Sequence, residues 1–290
     1  MEDQPKILIA FLGWVGGAKR GDHQALRDTW LKDLPSNMDY RFFIGDGTPV
    51  DPTEDARINA GFSFWATKTR WNNNHRETQT KLSQSYPVAG YQPQEDDVMA
   101  PCPDGYHYMS YKRKESLRWA LEHGYTHIFC ASVDVYARPE RLLSSDFQKY
   151  DYYGLNCGNT GWPGTDCYIP GGYVFGGGYW LSAKAAKFIV DSPVTYWCED
   201  WWIGLVLDKA IKSGQIIRNY SPRYAIEPNR PHVNNNIISV ELSAGNYDKQ
   251  RMYDCHAAFP TPERPVVSHR AVYTYDKSGL VTNWWDRHKR

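Results

Sequence analysis

The 290-residue chain has no surplus of either charge: 33 lysines and arginines offset 33 aspartates and glutamates. A nucleic-acid binder carries a basic excess and a membrane-surface protein a basic face, so neither class is expected. No stretch approaches the roughly 18 consecutive apolar residues of a membrane-spanning helix. The first residues, Met-Glu-Asp-Gln-Pro-Lys, are too polar for a secretory signal. None of the six cysteines stands in a Cys-x-x-Cys unit, which removes the zinc ribbon. Cys157 and Cys167 flank a Gly/Pro loop and are readable as a disulfide or as two separate thiols. There is no Gly-x-Ser-x-Gly elbow, no His-Glu-x-x-His, no phosphate-binding Gly-Lys-Ser/Thr loop and no Gly-x-Gly-x-x-Gly turn after the first strand. No internal repeat or low-complexity tract interrupts the chain.

What is present is aromatic: 12 Trp and 21 Tyr. Such rings stack on sugar faces and offer one polar atom each, although a core built of large residues has the same composition. The pattern along the chain alternates strand and helix. Residues 7–12 and 41–45 read as buried strands, with a glycine-bearing loop over 13–21 and a helix over 24–31 between them. Residues 63–103 read as irregular, a long loop, lid or insertion. A helix is expected over 106–123, stopped by Gly124, then a strand over 126–132 and a helix from Pro139. Ser182 reads as the cap of another helix. Ile203, Val206, Leu207, Ala210 and Ile211 set the apolar stripe of a helix opened by Glu199-Asp200 and closed by Gly214. Residues 215–290 read as strand and loop, 265–269 being the best strand. Strand–helix alternation in the first half predicts an α/β chain built on a βαβ sheet with right-handed crossovers. Ligand-binding groups then belong at the carboxyl ends of strands: residues 13–20, 45–47 and 132–136.

Four places carry candidate chemistry. Asp134, in Ser132-Val133-Asp134-Val135-Tyr136, follows a strand, where a carboxylate serves either as a turn residue or as a hard oxygen ligand for Mg²⁺ or Mn²⁺. Glu199 and Asp200 open a helix, where acids favour the dipole and where a general base also sits well; spacing does not choose between them. Gly171, Gly172, Gly176, Gly177 and Gly178 surround Tyr173-Val174-Phe175 and permit close backbone approach to a ligand or simply bends. His269, at the end of a late strand, is a ligand or a surface residue. A carboxylate pair such as Asp134 with Asp200 also keeps glycoside hydrolysis open.

Read in order, these segments resemble the β-1,3-galactosyltransferase family, fringe-type relatives included. Leu26-Arg27-Asp28-Thr29-Trp30 is similar to its Ile-Arg-x-Thr-Trp motif, and Phe42-Phe43-Ile44-Gly45 to its Phe-x-x-Gly strand. Asp104-Gly105-Tyr106 with Lys112 resembles its Asp-x-Tyr-x-Asn-Leu-Thr-x-Lys stretch, with Tyr108, Met109 and Ser110 at the Asn, Leu and Thr positions. Residues 132–136 fall on its Asp-Asp-Asp-Val-Phe metal motif, Ser132 and Val133 replacing the first two acids. Residues 168–182 resemble its Tyr-Pro … Gly-Gly-Gly-Tyr-x-Leu-Ser segment, and Glu199-Asp200-Trp201-Trp202-Ile203-Gly204 its Glu-Asp-Val-x-x-Gly motif.

The resemblance implies a GT-A fold, a single domain with a Rossmann-like mixed sheet flanked by helices, with residues 1–140 binding the nucleotide-sugar and 141–290 the acceptor. It implies an inverting transferase that takes galactose, N-acetylglucosamine, glucose or xylose from UDP to an oligosaccharide or glycoprotein glycan. Asp200 would be the base, with Glu199 beside it. Asp134 and His269 would hold Mn²⁺ or Mg²⁺. Arg27, Asp104, Lys112, Ser132, Val133, Gly177 and Gly178 would line the nucleotide-sugar. The reduced acid motif supports an alternative, a non-catalytic carbohydrate- or nucleotide-binding protein on the same scaffold. The expected setting is soluble and cytoplasmic, or the Golgi or ER lumen if an anchor has been removed.

Overall fold

The computed structural model describes residues 4–68, 87–157, 169, 172–221, 223–226, 238–242 and 249–258. It is a mixed α/β chain. The central sheet has seven strands in the order β3-β2-β1-β4-β7-β6-β8. These are β1 (Ile7–Leu12), β2 (Met38–Gly45), β3 (Asp97–Ala100), β4 (His127–Ser132), β6 (Tyr152–Asn156), β7 (Val174–Ser182) and β8 (Arg218–Tyr220). A small second sheet joins β5 (Val135–Ala137), β10 (Ser239–Glu241) and β9 (Tyr224–Ile226). The β3-β2-β1-β4 half is parallel, and β7 runs antiparallel to both its neighbours. β1 is buried at every position, as its unbroken Ile-Leu-Ile-Ala-Phe-Leu run requires of a central parallel strand.

Eight α-helices flank the sheets among the described residues: α1 (Val15–Arg20), α2 (Asp22–Asp28), α3 (Pro52–Lys68), α4 (Met109–Glu122), α5 (Pro139–Leu143), α6 (Ala183–Val190), α7 (Glu199–Lys212) and α8 (Lys249–Ala258). Pro139 opens α5, and the Ser182 hydroxyl caps α6 by accepting the Ala185 N–H at 3.2 Å. Gly124 and Gly214 end α4 and α7 in the left-handed region, φ +73° at each. Two apolar layers sandwich the sheet, one holding Phe11, Trp30, Phe129 and Trp180, the other Leu8, Ala10, Leu117, Tyr179 and Trp202. No helix among the described residues is long and apolar enough to cross a membrane.

Three expectations are corrected. Residues 15–20 are helical rather than loop. Tertiary capping of the Val15 N–H and a left-handed Gly21 (φ +86°) supply what the two glycines withhold. Residues 63–103 are not irregular throughout: α3 runs to Lys68 and β3 forms the sheet edge. The region after 215 contains α8, whose short apolar pair Met252 and Cys255 gave little periodicity. α8 is anchored by Tyr253 Oη donating to Asp28 at 2.7 Å and Lys249 Nζ to the Arg20 carbonyl at 2.8 Å. The expected strand over 265–269 lies outside the described residues.

Candidate active site

From β1 the chain order runs outward to β2 and β3 on one side and to β4 on the other. Such a reversal opens a crevice at the carboxyl ends of the two strands, the usual ligand site of an open α/β sheet. Gly13 follows β1 there and Ser132 ends β4. The Ser132 hydroxyl donates to Asp134 Oδ1, and the Leu242 N–H donates to the Asp134 carbonyl at 2.9 Å, fixing the turn between β4 and β5. No described residue bonds Asp134 Oδ2. Val133 turns into the core, so only its backbone is available to a ligand.

Beneath the β1–α1 connection lies a closed polar knot. Asp104 is 0% exposed. Its Oδ2 accepts the Val15 N–H at 2.7 Å, and its Oδ1 accepts the Gly45 N–H and Lys112 Nζ, both at 3.2 Å. Lys112 Nζ donates also to the Gly13 carbonyl at 2.8 Å and is 3% exposed. Gly45 is required here because a Cβ would stand 2.6 Å from the Cys102 carbonyl. Asp104 and Lys112 therefore shape the crevice wall through the backbone they hold. Arg27 is drawn elsewhere. Its guanidinium grips Asp96 at 2.8 and 2.6 Å and covers the Phe42 ring, on the amino-terminal side of β3.

On the other wall, α7 starts against the glycines of β7. Glu199 and Asp200 diverge sharply. Glu199 Oε1 accepts Arg113 Nε at 2.6 Å and the Tyr179 hydroxyl. Asp200, 8% exposed, has no cation partner among the described residues. Its Oδ2 accepts the Gly176 N–H at 2.9 Å, and its Oδ1 accepts the Trp201 N–H at 2.7 Å and the Cys198 thiol at 3.1 Å. Burial first, then the Glu199 charge, push the Asp200 carboxyl up to about 6, against the opposing pull of those three hydrogen bonds. Gly176 is small for a reason: a Cβ there would lie 3.3 Å from Asp200 Oδ2.

Two further groups join the crevice that sequence reasoning did not single out. A Cβ on Gly177 would meet Glu241 Oε2 at 2.9 Å, so the missing side chain makes room for a third carboxylate. Glu241 lies in a three-residue strand with too little alternation to mark it. Tyr106 is the other. Burial raises its phenol pKa, and the charges of Cys198, Glu241, Asp200 and Asp134 raise it further, so the hydroxyl stays protonated. Gly178 adopts φ +108° with Phe129 and Ser239 crowding the place of a Cβ.

The structure sets Gly176 against Asp200 and Gly177 against Glu241, and ties Asp134 through Leu242 to the strand that carries Glu241. It sets Glu199, Asp104 and Lys112 behind them and leaves Arg27 apart. His269 lies outside the described residues, as does Cys167, whose pairing with Cys157 the sequence left open. Among the described residues no three His, Cys, Asp or Glu side chains converge as a metal cage. What the structure offers there is a nearly buried carboxylate with a raised pKa held against a glycine backbone, chemistry suited to taking a proton from a bound hydroxyl. Comparison with known proteins adds no family: no family model and no curated protein matches the chain.

Proposed function

We propose that this chain is an inverting glycosyltransferase of the GT-A type that moves a sugar from UDP to a hydroxyl of an oligosaccharide or glycoprotein glycan. The observation that carries the reading is Asp200, a nearly buried carboxylate with no cation partner among the described residues, whose pKa is raised to about 6 at the crevice wall. Support comes also from the strand-order reversal beside Asp134 and from the motif order in the sequence. In this reading the donor, carrying galactose, N-acetylglucosamine, glucose or xylose, lies over the ends of β1 and β4. Residues 1–140 then serve the nucleotide-sugar and 141–290 the acceptor.

Asp200 takes the proton from the acceptor hydroxyl. The oxygen attacks the anomeric carbon from the face opposite the diphosphate. The bond from that carbon to the diphosphate oxygen breaks, and its electron pair leaves with UDP. One carboxylate such as Asp134 fits Mn²⁺ or Mg²⁺, which take hard oxygen donors and fill their remaining positions with water and substrate phosphate. When bound, such an ion neutralises charge on the departing diphosphate.

The test is calorimetric titration of UDP with and without Mn²⁺, then a donor panel scored for UDP release. Metal-dependent binding and turnover of one UDP-sugar are expected. Asp200→Asn should lower turnover about 10²–10⁴-fold while UDP affinity stays within about twofold. Absence of nucleotide binding sinks the proposal.

A further inference from the structure

Arg113 is 1% exposed, and its guanidinium is shared among three elements. Nη1 donates to the Ala10 carbonyl of β1 at 2.8 Å, Nη2 to the Ala131 carbonyl of β4 at 3.2 Å, and Nε to Glu199 of α7 at 2.6 Å. Ala10 and Ala131 lie just before the ends of the two strands that flank the crevice. Glu199 is the residue before Asp200. A planar fork that is always charged satisfies all three directions at once, which a lysine's single ammonium does not. Arg113 touches no solvent-facing surface, so it meets no substrate itself.

We infer that Arg113, acting through Glu199, is the positioning residue that locks Asp200 in register with the ends of β1 and β4. The inference rests on the proposed role of Asp200. It extends that reading by assigning the register between donor and acceptor walls to one buried ion pair. Rigid tethering of this kind matters because misplacing a reacting group by an ångström costs about a hundredfold in rate. The pair has an electrostatic side as well. Arg113 neutralises Glu199 only in part, and the Glu199 charge raises the proton affinity of its neighbour. Among the described residues, the titratable groups coupled electrostatically to Asp200 are Cys198 and Glu199 on its own segment, Tyr106 before α4, Tyr152 on β6 and Tyr173 before β7. Of these, Glu199 is the one that forms an ion pair.

The experiment uses the full chain labelled with ¹³C at the aspartate carboxyl, with the Asp200 signal identified by its loss in Asp200→Asn. In the parent the signal should titrate near 6, and in Glu199→Gln about one pH unit lower or more. The acid limb of the pH–rate profile should move down with it. In Arg113→Lys, which keeps the charge but loses the fork, kcat should fall about 10- to 100-fold with UDP affinity unchanged. An Asp200 titration unmoved by Glu199→Gln overturns the inference, as does parental kcat in Arg113→Lys. If Glu199→Gln does not fold, Arg113→Lys decides alone. If no UDP-sugar is turned over at all, the transferase reading fails while the ¹³C titration still decides whether the ion pair governs Asp200.

Discussion

Two corners of the crevice hold buried carboxylates beside buried cations, and they end in opposite conditions. Under the β1–α1 connection, Asp104 has both oxygens filled by two backbone N–H groups and the Lys112 ammonium. The knot is closed, and what it does is hold the chain. At the start of α7 two carboxylates share one guanidinium unequally. Glu199 takes the charge of Arg113, and among the described residues Asp200 receives only neutral donors and the repulsion of its neighbour. The cation settles the difference: a buried acid given a full counter-charge becomes structure, and one denied it keeps a proton affinity suited to chemistry.

The largest effect should come from opening the closed knot. Asp104→Asn leaves the Lys112 ammonium buried without a counter-charge, and removing one partner of such a pair costs about 3–5 kcal/mol. Chemical denaturation should show that loss as a lower midpoint with an unchanged slope. A loss under about 1 kcal/mol would mean the knot is not a stabilising element, and the comparison would lose its first half.

The reverse is expected at the other corner. The Asp200 carboxyl is raised from 3.8 to about 6 in the folded chain. A group raised on folding lends stability that is present at low pH and lost as pH rises through its folded value. Across roughly two pH units the ionised carboxylate costs the fold up to about 3 kcal/mol above pH 6. Asp200→Asn carries no such cost. Its side-chain oxygen still serves Gly176, but its NH₂ accepts from neither Trp201 nor Cys198, which offsets part of that gain. The variant should therefore be more stable than the parent by about 1–2 kcal/mol at pH 8, with the gain gone near pH 4. Parallel unfolding curves of the two proteins across that range would contradict the burial account of Asp200.

Much of the scaffold was legible. The unbroken apolar runs of β1 and β4, Pro139 at the start of α5, the Ser182 cap and the stripe on α7 each follow local rules that tertiary packing did not override. α1 was not legible, because its start depends on Asp104, which is distant in sequence. Asp134 and Asp200 were readable as candidates from their places after a strand and at a helix start. The division of labour between Glu199 and Asp200 was not, because it depends on where Arg113 points. Arg113 itself reads as part of a solvated Lys-Arg-Lys run. Its phase tells otherwise: Arg113, Ser116, Leu117 and Ala120 fall at i, i+3, i+4 and i+7, on the buried face of α4.

The smallest effect on the fold is expected from the glycine that separates the two behaviours. A methyl on Gly176 would stand 3.3 Å from Asp200 Oδ2 and 3.5 Å from Glu199 Oε2. The backbone there is in the ordinary region, so Gly176→Ala brings contact without backbone strain. A shift of a few tenths of an ångström relieves the crowding, and the stability change should stay within about 1 kcal/mol. The carboxylate that must move is the proposed base, so kcat should drop several-fold to tenfold while UDP affinity holds. Steady-state kinetics on the parent's preferred UDP-sugar separate the cases. Unchanged kcat would make Gly176 a simple bend in β7, whereas a fall in kcat at unchanged stability marks the corner where placement of one carboxylate matters more to turnover than to folding.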